Sequence, residues 1–350
     1  MERIRLGRSD LEVPRLCLGS MTFGEQNSES GANSQLDFAF ERGLNFIDTA
    51  EMYPLPVQAR TYGRTEQIIG QWLKTKPRDR VIVATKVSGP GRGMAWLRQG
   101  DRAGVGELTE RDIELACNAS LQRLGTDYID LYQIHWPARN VPGFGNPQFD
   151  RRREFDATPV LVQLQALGRL VEQGKVRAIG VSNETAWGVC EFVQLAERHG
   201  LPRIASIQNV YNLLSREFEQ SLDEACLRTG VSLLAYSTLA FGHLTGKYLH
   251  GAKPNRARFT VYGERWPRYS KPSIAIAAAE YASIAAEHGL TPTQLAIAFV
   301  HSRPFSGCTI LGATSIEQLK QTIEASTMML DEATLAAIAA VHARLPNPAP

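Results

Sequence analysis

The chain has 350 residues, with 38 Lys+Arg against 36 Asp+Glu, 43% hydrophobic and 21% charged residues, 29 Gly, 18 Pro and 5 Cys. These are ordinary values for a globular protein, and they exclude a disordered, collagen-like or disulfide-scaffold chain. A formal charge of +2 leaves no surplus for a polyanion. The arginine run at 151–153 reads as a solvated loop, so neither nucleic acid nor a membrane surface is expected as a partner.

Residues 1–10 are too charged for a secretory signal, and no stretch approaches ~18 uninterrupted apolar residues. Cys17, Cys117, Cys190, Cys226 and Cys308 are scattered without a C-x-x-C pair, which fits free thiols in a reducing cytoplasm. The histidines show no H-E-x-x-H spacing, so no metal is expected.

In chain order the predicted elements alternate between short apolar runs and segments of helical period. Strands are expected at 15–19, 45–48, 81–86, 128–135, 176–181, 204–208, 231–236 and 308–311. Helices are expected at 34–42, 63–73, 109–124, 158–173, 185–199, 215–229 and 274–287, and Thr291-Pro292 opens another. Gly43, Gly125, Gly174, Gly200, Gly230 and Gly289 sit where these helices need a left-handed stop. Eight strands exceed the usual open doubly wound sheet and predict a closed (β/α)8 TIM barrel, with 1–350 as a single domain. The segments 88–107, 136–157 and 237–272 are too long for simple connections. Each follows a strand's C-terminal end, the face where such barrels carry their sites.

Familiar phosphate and nucleophile motifs fail. There is no G-x-G-x-x-G, Gly246-Lys247 precedes Tyr248 rather than Ser or Thr, and the run after Gly180 lacks the second glycine of a nucleophile elbow. What remains are the predicted strand ends: Asp48, Lys86, His135, Ser182 with Asn183, Gln208, and Tyr236 with Ser237. Singly, each has a structural explanation: a cap for Asp48, a snorkelling stem for Lys86, a hydrogen-bonded imidazole for His135. Jointly, an acid, a base and an imidazole at the ends of apolar runs supply one another's partners. Tyr53 lies on the loop leaving the Asp48 strand. A phenol titrates near ~10, and the ammonium of Lys86 is expected to bring that value down while Asp48 holds Lys86 charged. His135 would then hydrogen-bond an oxygen gaining negative charge. The set describes a protonating pocket for a carbonyl becoming an alkoxide.

The stretches Gly43-Leu44-Asn45-Phe46-Ile47-Asp48-Thr49-Ala50-Glu51-Met52-Tyr53, Asp127-Tyr128-Ile129-Asp130-Leu131-Tyr132-Gln133-Ile134-His135-Trp136, Gly174-Lys175-Val176-Arg177-Ala178-Ile179-Gly180-Val181-Ser182-Asn183 and Leu311-Gly312-Ala313-Thr314-Ser315 resemble the aldo-keto reductases. The runs 18–29, 51–54 and 244–249 resemble the bacterial Tas-type branch and, more distantly, potassium-channel β subunits. The resemblance implies an NADP(H)-dependent oxidoreductase that reduces aldehydes or ketones to alcohols by hydride transfer, with the tetrad Asp48, Tyr53, Lys86 and His135 and Tyr53 as general acid. It implies that Ser182, Asn183 and Gln208 hold the nicotinamide carboxamide and that Tyr236 stacks on the ring. Ser20, Met21 and Asp48 are implied cofactor contacts as well. Ser237, Leu239, Gly242, Leu244 and Lys247 would cover the pyrophosphate, Arg258 would clamp the adenosine end, and Gly312, Thr314, Ser315 and Gln318 would form the adenosine-phosphate site. Channel-type relatives carry Glu and Asn where this chain has Gln321 and Thr322. Phe23, Met52, Trp96, Trp136 and Phe241 are expected to form a substrate wall. The alternative is a cofactor-sensing regulatory subunit with slow or vestigial turnover.

Overall fold

The computed structural model describes residues 1–91, 93–94, 96–97, 107–143 and 145–350. An antiparallel hairpin, β1 (Arg3–Arg5) and β2 (Glu12–Pro14), precedes the barrel. The barrel strands are β3 (Leu16–Gly19), β4 (Phe46–Asp48), β5 (Ile82–Val87), β6 (Ile129–Ile134), β7 (Val176–Ser182), β8 (Ile204–Val210), β9 (Ser232–Tyr236) and β10 (Ser306–Gly312). They pair in parallel in sequence order, and β10 closes the ring by bonding both β9 and β3. The (β/α)8 expectation therefore holds, with each predicted strand within about two residues of its observed position.

Around the ring pack α1 (Glu29–Glu41), α2 (Arg64–Leu73), α3 (Glu110–Leu124), α4 (Val160–Glu172), α5 (Ala186–His199), α6 (Leu222–Thr229), α7 (Arg258–Tyr262), α8 (Pro272–Glu287), α9 (Pro292–His301), α10 (Ile316–Ala325) and α11 (Glu332–Arg344). Local chemistry sets several ends. Thr109 and Asp112 close a capping box on α3, and Thr291 and Gln294 do so on α9, where Pro292 holds the first helical position. All six anticipated stop glycines have positive φ.

Three expectations shift. The helix expected at 34–42 begins at Glu29, because the Ser28 hydroxyl accepts from the Gly31 amide and nucleates a first turn of weak helix formers. The helix expected at 215–229 divides into the single turn Glu217–Gln220 and α6, since Ser221 adopts an extended φ of −165°. The long segment 237–272 contains α7 and several single helical turns. Strands as short as β1 and β2 show no readable periodicity, and neither they nor α11 were among the predicted elements. Of the segment 88–107, Arg92, Ala95 and 98–106 lie outside the described residues, as does Phe144 of the segment 136–157.

Two apolar layers result. One lies between the sheet's outer face and the helices, and includes Leu18, Ile47, Val83, Tyr132, Ile207 and Phe299. The other fills the lower barrel with Cys17, Phe46, Ala84, Leu131, Leu234 and Ile310, and the hairpin plugs its base with Leu6, Leu11 and Val13. Above this layer the inward residues turn polar, to Asp48, Lys86, Gln133 and Gln208, all buried. The change from apolar to polar along each strand places a charged floor under the barrel mouth.

Candidate active site

The backbone leaving β4 continues along β5. Thr49 N–H donates to the Ala84 carbonyl at 2.8 Å and Glu51 N–H to that of Lys86 at 3.2 Å, before a turn closes from Tyr53 N–H to the Ala50 carbonyl at 3.1 Å. The buried Glu51 carboxylate accepts from Ser88 N–H at 2.6 Å, tying this turn to the exit of β5. Tyr53 is thereby held above Lys86, whose Nζ lies 5.1 Å from the ring centroid. The His135 ring, at the end of β6, meets Tyr53 edge-on at 5.7 Å between centroids.

Lys86 is fully buried and donates to Asp48 Oδ2 and to the Thr49 carbonyl, both at 2.7 Å. Gln208 donates to the other carboxylate oxygen of Asp48 at 2.8 Å. A buried charge pair persists only with such complete hydrogen bonding. Ser182 donates to the Gln208 carbonyl at 2.6 Å, Asn183 donates to the His135 carbonyl at 2.8 Å, and the Tyr236 phenol donates to Asn183 Oδ1 at 2.7 Å. The predicted strand-end residues thus form one connected polar network.

The expectation for Tyr53 needs correction. Its phenol is held above the ordinary range near ~10, by burial first and by the Asp48 carboxylate second, and the cation that opposes this is Arg258. Lys86, committed to Asp48 at 2.7 Å, is not among the groups that lower it.

These groups open into a cavity of ≈ 1030 Å³, large for a ligand pocket. Asp48, Tyr53 and His135 line it, as do Ser20, Met21, Ser182, Asn183, Gln208, Tyr236, Ser237, Leu239, Gly242, Lys247, Arg258, Gly312, Thr314 and Gln318. Lys86 stands behind Asp48. The Leu244 side chain packs in the core rather than on the cavity wall, and the Ser315 hydroxyl caps α10 by accepting from Gln318 N–H at 3.3 Å. Gln321 and Thr322 also face the cavity, the latter also bonding the Gln318 carbonyl at 3.1 Å.

Of the expected substrate wall, Met52, Trp96 and Phe241 line the cavity. Phe23 does not. It is fully buried in the outer core, and its carbonyl receives the Thr65 hydroxyl at 2.7 Å. Trp136 is buried against Gly89, and its indole donates to the Pro90 carbonyl at 2.9 Å. An aromatic near a strand end reads alike whether it faces ligand or core, so the sequence did not separate these two from the rest. Arg256, Arg265, Arg268 and Met94, for which the sequence carries no specific signal, are also part of the lining. The only hint was the arginine-rich composition of 237–272.

The chemistry of this wall suits a polyanion with a flat head. Burial, reinforced by Arg258, pushes the Lys247 ammonium down, and burial does the same to the Arg258 guanidinium. Neither forms an ion pair with a described carboxylate; Arg258 reaches Gln26 Oε1 at 3.2 Å and lies 3.9 Å from Met21 Sδ. Gly242, at φ 93°, admits the Lys247 stem, since a Cβ there would sit 2.4 Å from Cε. At the far end the α10 N-terminus presents Thr314 and Gln318, a favourable place for phosphate. Among the described residues no cluster of His, Cys, Asp and Glu is spaced for a metal ion, and all five cysteines are free thiols.

A model of the Aldo/keto reductase family matches residues 15–343. The chain is an aldo/keto reductase. Protein tas of Escherichia coli (strain K12) is 49% identical to it over 351 residues, covering 100% of both chains. The uncharacterized oxidoreductase YrpG of Bacillus subtilis (strain 168) is 33% identical over 96% of this chain and 94% of its own. An NADH-specific methylglyoxal reductase of Escherichia coli (strain K12) is 30% identical over 95% of this chain and 96% of its own. As a member of the family this aldo/keto reductase is an oxidoreductase, and carbonyl reduction with a nicotinamide cofactor is the family's general chemistry. No helix among the described residues is long and apolar enough to cross a membrane.

Proposed function

We propose that the chain reduces small aldehydes or ketones to alcohols, with NADP(H) as its cofactor and Tyr53 as the proton donor. The reading rests above all on one juxtaposition. A buried phenol and an imidazole meet at 5.7 Å over a buried Lys–Asp pair, at the base of a cavity whose other walls carry cations without acidic partners. When bound, the reduced nicotinamide supplies the hydride. Ser182, Asn183, Gln208 and Tyr236 would hold its head, Lys247 its pyrophosphate, and Arg258, Thr314 and Gln318 the adenosine end.

The remaining steps belong to the chain. Held high by burial, Tyr53 stays protonated throughout the neutral range, so a proton is always available to a carbonyl oxygen beside it. His135 steadies that oxygen as charge builds, and the fixed Lys86–Asp48 pair avoids reorganisation during the step. Arg258, the cation that pulls Tyr53 down, favours the phenolate left behind. The buried cations favour the 2′-phosphorylated cofactor, whereas one relative is named for NADH.

The test is the fall in near-UV NADPH absorbance with a panel of aldehydes, ketones and quinones, run in parallel with NADH. Tyr53→Phe is expected to lower turnover by about 10²–10⁴-fold while cofactor fluorescence quenching is retained. Undiminished turnover in that variant would remove Tyr53 from its role. Tight NADPH binding with no turnover of any substrate would favour a cofactor sensor.

A further inference from the structure

The cavity carries more positive charge than a dinucleotide reading uses. Among the described residues Lys247, Arg256, Arg258, Arg265 and Arg268 line it against one carboxylate, Asp48, which is committed to Lys86 at 2.7 Å. In the proposed pose Lys247 serves the pyrophosphate and Arg258 the adenosine end, and Arg256 and Arg265 are exposed at the rim. Arg268 differs from all four. Its guanidinium donates to the Tyr269 phenol at 3.1 Å, with its carbon 4.9 Å over the Tyr269 ring. Gly145, from the loop after β6, abuts the stem: a Cβ there would lie 3.2 Å from Arg268 Cβ. Among the described residues no carboxylate forms an ion pair with it, and Glu217, whose charge it stabilises, stays outside ion-pair contact.

A half-buried guanidinium without an ion-paired carboxylate keeps donors for an anion: the Tyr269 phenol takes part of its fork of five N–H donors, leaving others for a partner. The location narrows what that partner is. The Tyr269 phenol that Arg268 bonds also bonds Ser237 Oγ at 3.0 Å, next in the chain to Tyr236, which bonds Asn183 at 2.7 Å, and Asn183 bonds the His135 backbone at 2.8 Å. The guanidinium therefore stands on the wall flanking the carbonyl position.

We propose that Arg268 is a specificity-determining residue that binds an anionic group, carboxylate or phosphate, on the carbonyl substrate itself. The preferred substrates are then acidic aldehydes or ketones. This inference rests on the reductase reading.

The test compares matched pairs with NADPH: 4-carboxybenzaldehyde against its methyl ester, and glyceraldehyde 3-phosphate against glyceraldehyde. Each is measured in the wild type, Arg268→Gln and Arg268→Lys. The expected result is a kcat/KM preference of about 10–100-fold for the acid in at least one pair, the scale of a charge-assisted hydrogen bond. A carboxylate-only or phosphate-only preference identifies the group. The preference should vanish in Arg268→Gln through KM and partly return in Arg268→Lys, with kcat on the neutral partner and NADPH affinity unchanged. No acid preference in the wild type, or one that survives in Arg268→Gln, overturns the proposal. So does a loss of NADPH affinity in Arg268→Gln as large as the loss for the acid, which would assign Arg268 to the dinucleotide. Tryptophan fluorescence, read through Trp96 and Trp266 in the lining, gives affinities without turnover. Arg268-dependent discrimination there without catalysis sinks the reductase reading alone, whereas equal affinity for acid and ester sinks the anion subsite.

Discussion

The two ends of the barrel handle charge differently. At the N-terminal end, Asp130 on β6 is buried and accepts from Arg78 at 2.8 Å, from Arg177 at 2.6 Å and from Val83 N–H at 3.0 Å. Arg78 spends its other donors on Thr126 Oγ1 and the Val81 and Tyr128 carbonyls. The smaller cavity there, ≈ 420 Å³, is lined by Arg8, Arg177 and Arg203, of which Arg177 is paired with Asp130 and Arg203 with Glu197. At the C-terminal mouth Lys86 pairs with Asp48 and, outside the cavity, Arg139 with Glu184, whereas among the described residues Lys247, Arg258 and Arg268 face the cavity without an ion-paired carboxylate. Backbone strain follows the same division. Of eight described non-glycine residues with positive φ, five (Asn183, Ser237, Ala240, Phe241 and Arg256) line the mouth. Arginines gathered on one buried carboxylate mark the end that supports the fold, and cations without an ion-paired carboxylate, on strained backbone, mark the cavity that meets a ligand.

Removing one charge at each end tests this division. Lys86→Met leaves Asp48 buried beside Gln208 with no cation, and should cost about 3–5 kcal/mol of stability together with most of the carbonyl reduction. Thermal melting and NADPH oxidation read the two losses. A stable, fully active variant would break the contrast from the mouth side. Arg78→Met should cost about 2–4 kcal/mol, less because Arg177 and Val83 N–H still hold Asp130, with kcat and cofactor affinity unchanged in the folded protein. A fall in kcat of the folded variant would show that the lower end is more than a support.

The smallest effect concerns pH. Burial first, and Lys247 second, lower His243 to about 4, within the aromatic group of Tyr248, Phe259 and Tyr269 beside the mouth. Below its ordinary value near ~6.5 the unfolded chain takes up a proton that the folded one refuses, so stability is full above that value and falls as pH drops toward about 4. His243→Phe should flatten part of this slope in melting curves between those limits. His301, lowered to about 4 by burial and then by Arg15, supplies another part. An unchanged slope would mean that His243 does not contribute.

Much of the fold was legible because its signals are local. Asn45-Phe46-Ile47-Asp48 reads as a strand from its apolar run, and Gly125 and Gly200 as helix stops, since a left-handed residue after a helix depends on its immediate neighbours. The meeting of Asp48, Lys86 and His135 was legible because barrel strands run in parallel, so a strand's C-terminal end is also a position at the mouth. The hairpin β1–β2 was not, because strands of three residues carry too little pattern. Nor were the outcomes for Phe23, Trp136 and Leu244, which depend on which way a side chain turns from an irregular loop.

The linear chain settles the strand count, the helix stops and the residue types at each strand end, all of which follow from periodicity and backbone preference. The electrostatic state of those residues is a tertiary matter. Coulomb interactions and desolvation depend on separation in space and on exclusion of water. That burial and the Asp48 carboxylate hold the phenol of Tyr53 high, and that Arg268 lines the cavity without an ion-paired carboxylate among the described residues, follow only from the folded arrangement.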